Sequence, residues 1–123
     1  MIRIGTDIIE IERVARNLDS DAFLKRVYSP KELQFFPGPW RAENMAARFC
    51  AKEALIKVFG EKVPFYEITV LNDEKGRPYY ELTGKAKAIQ KALGITDIDL
   101  SISHCKEYAV AFACGQCVAE RKG

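Results

Sequence analysis

The sequence has almost no net charge and no long apolar run, and each shortage excludes a class of protein. Its 19 lysines and arginines and its 17 aspartates and glutamates leave a net charge of +2, whereas strong general nucleic-acid binders are usually far more basic. No apolar stretch reaches the roughly 18 residues that a membrane span requires. We therefore expect no nucleic-acid partner and no membrane partner.

The N-terminal segment lacks the apolar core of a secretory signal peptide. Arg3, Asp7, Glu10 and Glu12 stand where that core would lie. We therefore expect a cytoplasmic protein.

Cysteines are few, but two of the four form a C-x-x-C pair, Cys114 and Cys117. A redox pair normally lies where a strand turns into a helix, whose dipole lowers the thiol pKa, and only six residues follow Cys117. A zinc site would need two further ligands, and neither Cys50, Cys105 nor His104 belongs to a second paired motif. We favour reduced thiols in a plain strand over a redox or zinc site.

The length of 123 residues predicts a single domain spanning residues 1–123. A hydrophobic content of 48% and a charged content of 29% exclude a disordered, collagen-like or coiled-coil chain. A strand comes first, then several helices, then strands with one inserted helix, so the predicted class is α+β. We expect a mainly antiparallel sheet packed with helices, one of them long and buried.

Apolar periodicity predicts a strand over residues 1–6 and a helix over residues 8–18. Asp7 then lies where the strand passes into the helix. That position suits either a functional carboxylate or a plain helix N-cap, and the residues alone favour neither.

Two shorter helices are predicted next. The first covers residues 19–28, and the second begins at a capping box formed by Ser29 and Glu32. A Pro-Gly-Pro run at residues 37–39 ends the second helix and opens a loop.

The segment 43–59 is the most informative part of the chain. It contains no Gly or Pro before Gly60, a natural helix stop, and it is apolar on nearly every side. We therefore expect a largely buried helix whose charges need partners, a ligand or a cleft; a simple surface pair between Glu53 and Lys57 is the alternative. The charged residues of this helix are Arg48, Lys52, Glu53 and Lys57.

The second half of the chain is predicted to hold two β-hairpins separated by a helix. Pro78, near the start of its strand, suits an edge position. The strands cover residues 65–72, 77–82, 98–104 and 108–118, and the helix covers residues 84–93.

Motifs that carry chemistry are scarce. The sequence has one histidine, His104, and contains no G-x-S-x-G elbow, P-loop or G-x-G-x-x-G loop. Two carboxylates, Asp7 and Glu53, remain beside several cations. Mg²⁺ typically takes one or two carboxylates together with substrate phosphates, and Lys and Arg suit phosphate oxygens. The residue types therefore fit a metal-assisted phosphate site, although no single spacing here is unique to that chemistry.

Several motifs together resemble those of the 4′-phosphopantetheinyl transferases. Gly5-Thr6-Asp7 with Arg13 is similar to their G-x-D-x(5)-R opening, and residues 49–57 are similar to their F-x-x-K-E-A-x-x-K helix. Residues 76–79 and 101–104 match two further features of the family. The short length resembles the holo-acyl-carrier-protein synthase branch, and Cys50 is one departure, since alanine is common there.

The resemblance implies a fold and an activity. A 4′-phosphopantetheinyl transferase-like fold is expected, and the family moves the 4′-phosphopantetheine arm of coenzyme A onto a serine of an apo acyl carrier protein. Adenosine 3′,5′-bisphosphate is the other product, Mg²⁺ is required, and the reaction supports fatty acid biosynthesis. Members of this size form homotrimers with active sites between subunits.

The resemblance also implies roles for single residues. Asp7 and Glu53 are expected to hold Mg²⁺, and Lys57 to stabilise charge on the bridging oxygen or to donate a proton to it. The base for the serine proton stays open between Glu53 and a metal-bound water. The residues expected at coenzyme A, besides Lys57, are Arg48, Lys52, Gly60, Pro78 and His104.

A basic cluster on the early helices is the expected docking surface for the acidic carrier protein. A solvated charged face is the alternative, because nearby acidic residues almost cancel this charge. The cluster consists of Arg13, Arg16, Lys25 and Arg26.

Two other functions compete with the transferase. A non-catalytic module for coenzyme A or nucleotides would bind coenzyme A without forming product. A redox or zinc protein built on Cys114 and Cys117 would lose its function when both are changed to serine.

Overall fold

A computed structural model describes residues 1–36, 38 and 41–118 of the chain. Its five helices are α1 (Ile11–Ala15), α2 (Asp21–Val27), α3 (Pro30–Phe35), α4 (Ala42–Phe59) and α5 (Gly84–Ala92). Its five strands are β1 (Ile2–Glu10), β2 (Ile68–Asn72), β3 (Pro78–Leu82), β4 (Ile95–His104) and β5 (Tyr108–Cys117). Among the described residues, no helix is long and apolar enough to cross a membrane.

Two antiparallel sheets organise the fold. One has the strand order β1-β5-β4, and the other is the β2-β3 hairpin. Helix α4 packs across the inner face of the three-stranded sheet, where small buried residues of β5 such as Ala111 and Ala113 make room for it. The predicted α+β class with one long buried helix is confirmed.

Strand β1 is longer than predicted, and this corrects the position of Asp7. Residues 8–10 continue the ladder with β5, so that Ile8 pairs with Val110, and the helix shrinks to Ile11–Ala15. Asp7 therefore lies inside β1, opposite Ala111, and is neither a helix N-cap nor a residue at the strand end. Residues 2–10 alternate between the two faces of the sheet and pair with β5. This pairing stabilises a strand at residues 8–10, although their apolar spacing also fits a short helix.

The local signals around the shorter helices hold where the structure describes them. Ser29 Oγ accepts from the Glu32 backbone N–H at 3.2 Å, and Glu32 Oε1 accepts from the Ser29 N–H at 2.9 Å, which completes the predicted capping box. The predicted stop at residues 37–39 lies largely outside the described residues, because only Gly38 of that run is described. The strand predicted from residue 65 begins instead at Ile68, after a short 3₁₀ turn.

Helix α4 ends as predicted at Gly60, whose φ of 71° is left-handed. Its approach to β1 depends on Gly5, because a Cβ there would lie 2.0 Å from the carbonyl oxygen of Ala54. Only a glycine permits this contact, and it sets the C-terminal half of α4 directly over β1. Alternate residues of a strand share a face, so Asp7 and Ile9 lie on the same side of β1 as Gly5 and face α4.

Candidate active site

The contact at Gly5 brings Asp7 next to the C-terminal half of α4. Lys57 Nζ donates to the Thr6 carbonyl at 2.8 Å and lies 3.4 Å from Asp7 Oδ1. Glu53 lies one turn earlier on α4 and is half-buried. Burial raises the pKa of Glu53, and the nearby charge of Asp7 raises it further. The structure thus assembles three predicted residues, Asp7, Glu53 and Lys57, into one cluster.

This cluster has the donor set of a magnesium site completed by substrate. Two carboxylates and a lysine are present, and the described residues hold no group of three or more metal-ligating side chains. Mg²⁺ retains water and phosphate ligands beside one or two carboxylates. Asp7 and Glu53 therefore fit a Mg²⁺ ion that also binds a phosphate-bearing substrate.

Cys50 lies beneath Asp7 on the buried side of the cluster. Its Sγ is 3.0 Å from the Asp7 carbonyl oxygen and 3.4 Å from Asp7 Oδ2, and the residue is fully buried. Burial is the main reason that the pKa of Cys50 is raised to about 12, and the charge of Asp7 adds to it. The thiol is therefore a neutral packing group against Asp7, not a nucleophile.

A second group of predicted residues gathers at the other side of α4. Arg48, Pro78 and His104 line one pocket of about 240 Å³, which lies between α4, the β2-β3 hairpin and the end of β4. Arg48 is nearly buried, and burial lowers its pKa without removing the guanidinium charge. This pocket offers a fixed cation and a histidine to a ligand.

Lys52 does not join either group, contrary to the prediction that it lies near the phosphates. Its ammonium is fully buried and donates to Glu32 Oε1 at 2.5 Å, to the Val27 carbonyl at 2.7 Å and to the Phe65 carbonyl at 3.1 Å. All three N–H donors are thereby occupied. Lys52 forms a structural ion pair with Glu32. Its position in the motif, one residue before Glu53, did not indicate this structural role.

Gly60 also lies outside both groups. It ends α4, and Arg3 binds the carbonyls just before it, with Nε 2.7 Å from the Val58 oxygen and Nη2 3.2 Å from the Phe59 oxygen. The arginine offsets the partial negative charge of the helix end. A contact between Gly60 and coenzyme A stays a prediction.

Most of the predicted docking residues converge. Arg13 and Arg16 line a groove of about 350 Å³ whose floor is apolar and includes Phe23 and Phe49. The guanidinium of Arg26 lies 5.8 Å from the centre of the Phe23 ring. The fourth predicted residue, Lys25, is exposed on α2.

Comparison with known proteins decides the family. The family model described as the 4′-phosphopantetheinyl transferase superfamily matches residues 3–113. The chain belongs to this superfamily. The family resemblance drawn from the motifs is confirmed.

Relatives within the superfamily share most of their length with this chain. A holo-[acyl-carrier-protein] synthase from Halothermothrix orenii is 41% identical over 123 residues, which cover 94% of this chain and 98% of the relative. The crystal structure of the holo-ACP synthase from Plasmodium yoelii is 34% identical, covers 95% of each chain and has a TM-score of 0.85. A Bacillus anthracis holo-(acyl-carrier-protein) synthase in complex with CoA (3′,5′-ADP) is 33% identical, covers 94% and 96%, and has a TM-score of 0.78.

The structure contradicts the hypothesis that Cys114 and Cys117 form a redox pair in this 4′-phosphopantetheinyl transferase. Cys114 and Cys117 lie three residues apart on β5, so their side chains point to opposite faces of the sheet. Both are free thiols, one half-buried and one buried. They cannot pair without unravelling the strand.

Three residues that hold Arg48 or Lys52 in place were not predicted as their partners. Glu32 was predicted only as part of a capping box, and it also binds Lys52. Phe36 and Asn72 both contact Arg48. Asn72 precedes the predicted turn at residues 73–76, and that position was its only signal. Phe36 has no signal, because its role depends on how α3 lies against α4.

Proposed function

We propose that this protein transfers the 4′-phosphopantetheine group of coenzyme A to a serine of an apo acyl carrier protein, as a holo-[acyl-carrier-protein] synthase. The products are the holo carrier protein and adenosine 3′,5′-bisphosphate, and the reaction supports fatty acid biosynthesis. The observation that carries this proposal is that Asp7, Glu53 and Lys57 lie together in one cluster, in a chain that belongs to the 4′-phosphopantetheinyl transferase superfamily.

Asp7 and Glu53 would hold Mg²⁺, which when bound neutralises charge on the pyrophosphate of coenzyme A. Lys57 is half-exposed, and its ammonium can reach an oxygen of the same pyrophosphate. The serine oxygen forms a bond to the phosphorus that carries pantetheine, and the bond from that phosphorus to the bridging oxygen breaks. Lys57 stabilises the charge left on the bridging oxygen, and Glu53 or a water molecule accepts the proton of the serine hydroxyl. Such a transfer depends mainly on positioning and charge neutralisation.

The pocket of Arg48, Pro78 and His104 would bind the nucleotide end of coenzyme A. A guanidinium is the side chain best suited to a phosphate, because it presents several N–H donors in one plane. His104 adds a second donor at the rim. We assign the 3′-phosphate to this pocket.

The two groups occupy opposite sides of α4, which supports an active site shared between subunits. Arg48 and Glu53 are five residues apart, about 140° around the helix. His104 lies on β4 and Asp7 on β1, and these are the two edge strands of the sheet. Because α4 fills the space between these two edge strands, a neighbouring chain is better placed than the same chain to supply the second group of residues.

An apolar surface offers the place where neighbouring chains meet. The outer face of the β1-β5 pair carries large side chains, each of them more than a third exposed, at adjacent positions of the register. We propose that this face packs between subunits in a homotrimer, because monomers rarely expose an apolar patch of this kind. The exposed residues are Ile2, Ile4, Ile8, Tyr108, Val110 and Phe112.

The groove beside Arg13 and Arg16 would dock the carrier protein. Acidic carrier proteins complement its arginines, and the apolar floor at Phe23 and Phe49 gives a helix of the partner a surface to bury. A cytoplasmic location is also proposed, because all four cysteines are free thiols.

Intact-mass spectrometry tests the proposed function. Apo acyl carrier protein incubated with this protein, coenzyme A and Mg²⁺ is expected to gain the mass of one phosphopantetheine, and EDTA is expected to prevent the gain. Asp7→Asn and Glu53→Gln are each expected to lower the rate at least about 100-fold while the melting temperature is kept. A folded protein that binds coenzyme A but modifies no carrier would support the non-catalytic binding module instead.

A further inference from the structure

Arg48 is held in one orientation by partners on three different elements. Its Nη1 donates to the Asn44 carbonyl at 3.1 Å, and its Nη2 donates to Asn72 Oδ1 at 2.9 Å. The Arg48 Cζ lies over the Phe36 ring, 3.6 Å from the ring centre. An arginine side chain normally loses much conformational freedom when it binds a ligand. Here that freedom is already removed.

The charge of Arg48 has no carboxylate beside it within the described part of the chain. The carboxylate that acts on it electrostatically is Glu32, but the ammonium of Lys52 is bound to that carboxylate at 2.5 Å. Arg48 Nε is buried without a hydrogen-bond partner. A nearly buried cation with an unused donor favours an anionic ligand in its pocket.

The segments that carry Phe36 and Asn72 both hydrogen-bond to Glu32, which is one partner of the buried ion pair. The Phe36 N–H donates to the Glu32 carbonyl at 2.9 Å, at the end of α3. Asn72 ends β2, and the Val70 N–H of this strand donates to Glu32 Oε2 at 3.1 Å. The Glu32–Lys52 pair thus ties α3 and β2 to α4 and sets the positions of Phe36 and Asn72 relative to Arg48.

We propose that Phe36 and Asn72 are positioning residues that preorganise Arg48 to select coenzyme A over donors without a 3′-phosphate. The inference rests on the proposed function, because Arg48 is assigned there to the 3′-phosphate. Phe36 fixes the plane of the guanidinium by stacking, and Asn72 fixes its rotation by accepting from Nη2. Neither side chain has to touch the phosphate for this selection.

The test compares coenzyme A with 3′-dephospho-coenzyme A, both in calorimetric binding and in carrier transfer. Phe36→Leu and Asn72→Ser are each expected to weaken binding of coenzyme A about tenfold and to leave binding of 3′-dephospho-coenzyme A unchanged. Phe35→Leu is the matched control, because Phe35 is the exposed neighbour on α3, and both affinities are expected to stay as in the wild type.

Each outcome has one meaning. An equal loss for both ligands in Phe36→Leu and Asn72→Ser would show a general structural role and overturn the inference. A wild-type protein that binds both ligands equally well would overturn it too. Binding that follows the expected pattern without any transfer to a carrier would leave the inference standing and overturn the proposed function. If Phe36→Leu fails to fold, as judged by circular dichroism, the comparison is made with Asn72→Ser, whose side chain lies at the protein surface.

Discussion

At the scale of the residue, the strongest energetic constraint is the buried pair of Glu32 and Lys52. The Lys52 side chain is 0% exposed and the Glu32 side chain is 1% exposed. The ammonium and both carboxylate oxygens are hydrogen-bonded within the protein. Burial lowers the pKa of Lys52 to about 8, and Glu32 opposes that shift, so the ammonium is charged at neutral pH. Removal of one partner leaves the other as an uncompensated buried charge.

Lys52→Met is therefore expected to lower the free energy of unfolding by about 3 to 5 kcal/mol at neutral pH. Without the ammonium, the Glu32 carboxylate is buried with no cation beside it. Urea unfolding of the variant and of the wild type at neutral pH measures the loss.

A second variant checks the cause. Glu32→Gln combined with Lys52→Met removes both charges, and it is expected to recover part of the loss at neutral pH. A double variant that is no more stable than Lys52→Met would contradict the explanation by an unpaired carboxylate.

At the scale of the element, the sequence predicts best where signals are local. The start of α3 follows from its own cap, and the end of α4 follows from Gly60. The length of β1 could not be found in this way, because Ile8 and Ile9 fit a helix as well as a strand until β5 is beside them. The pairing of distant strands decides such segments, and a single sequence does not display it.

Gly5→Ala is the prediction that belongs to this scale. The added methyl would lie 2.0 Å from the Ala54 carbonyl oxygen, so β1 and α4 must separate, with an expected loss of about 3 kcal/mol or more in the free energy of unfolding. Asp7 would move away from Lys57, and activity should fall further than stability alone explains. Gly76→Ala is the control: its Cβ would meet no atom within 4 Å, and only the left-handed φ costs about 1 to 2 kcal/mol. Chemical unfolding that ranks Gly76→Ala as the more harmful change would contradict this account.

At the scale of the whole molecule, the exposed apolar face is the proposed interface of the homotrimer. Phe112 lies in β5 opposite Thr6, with Val110 beside it on the same face, and a carboxylate there would have to be desolvated in a subunit interface. Phe112→Glu is expected to give a monomeric mass by light scattering, where the wild type gives three times the chain mass. Tyr66→Glu changes an equally exposed aromatic residue away from this face, and it should leave the mass unchanged. A trimer that persists in Phe112→Glu would contradict the proposed interface.

The sequence could identify most members of the site but not how they are divided. Asp7, Glu53 and Lys57 were predicted together, and so were Arg48 and His104. Their separation into two groups on opposite sides of α4 follows only from the fold. The prediction that Lys52 lies near the phosphates was wrong. A lysine at this position of a helix fits a buried ion pair as well as a phosphate ligand, and the sequence alone does not distinguish the two.

This division leads to a complementation experiment. Asp7→Asn and Arg48→Met chains are each expected to be nearly inactive alone, because each lacks one of the two groups at every site. In a shared site, an Arg48→Met chain supplies an intact Asp7 and its neighbour supplies an intact Arg48. Coexpression in equal amounts then restores about a quarter of the sites by random assortment in a closed ring of subunits. Carrier modification at about that fraction of the wild-type rate supports the shared site, whereas no recovery from properly trimeric mixtures would place both groups of one site on a single chain.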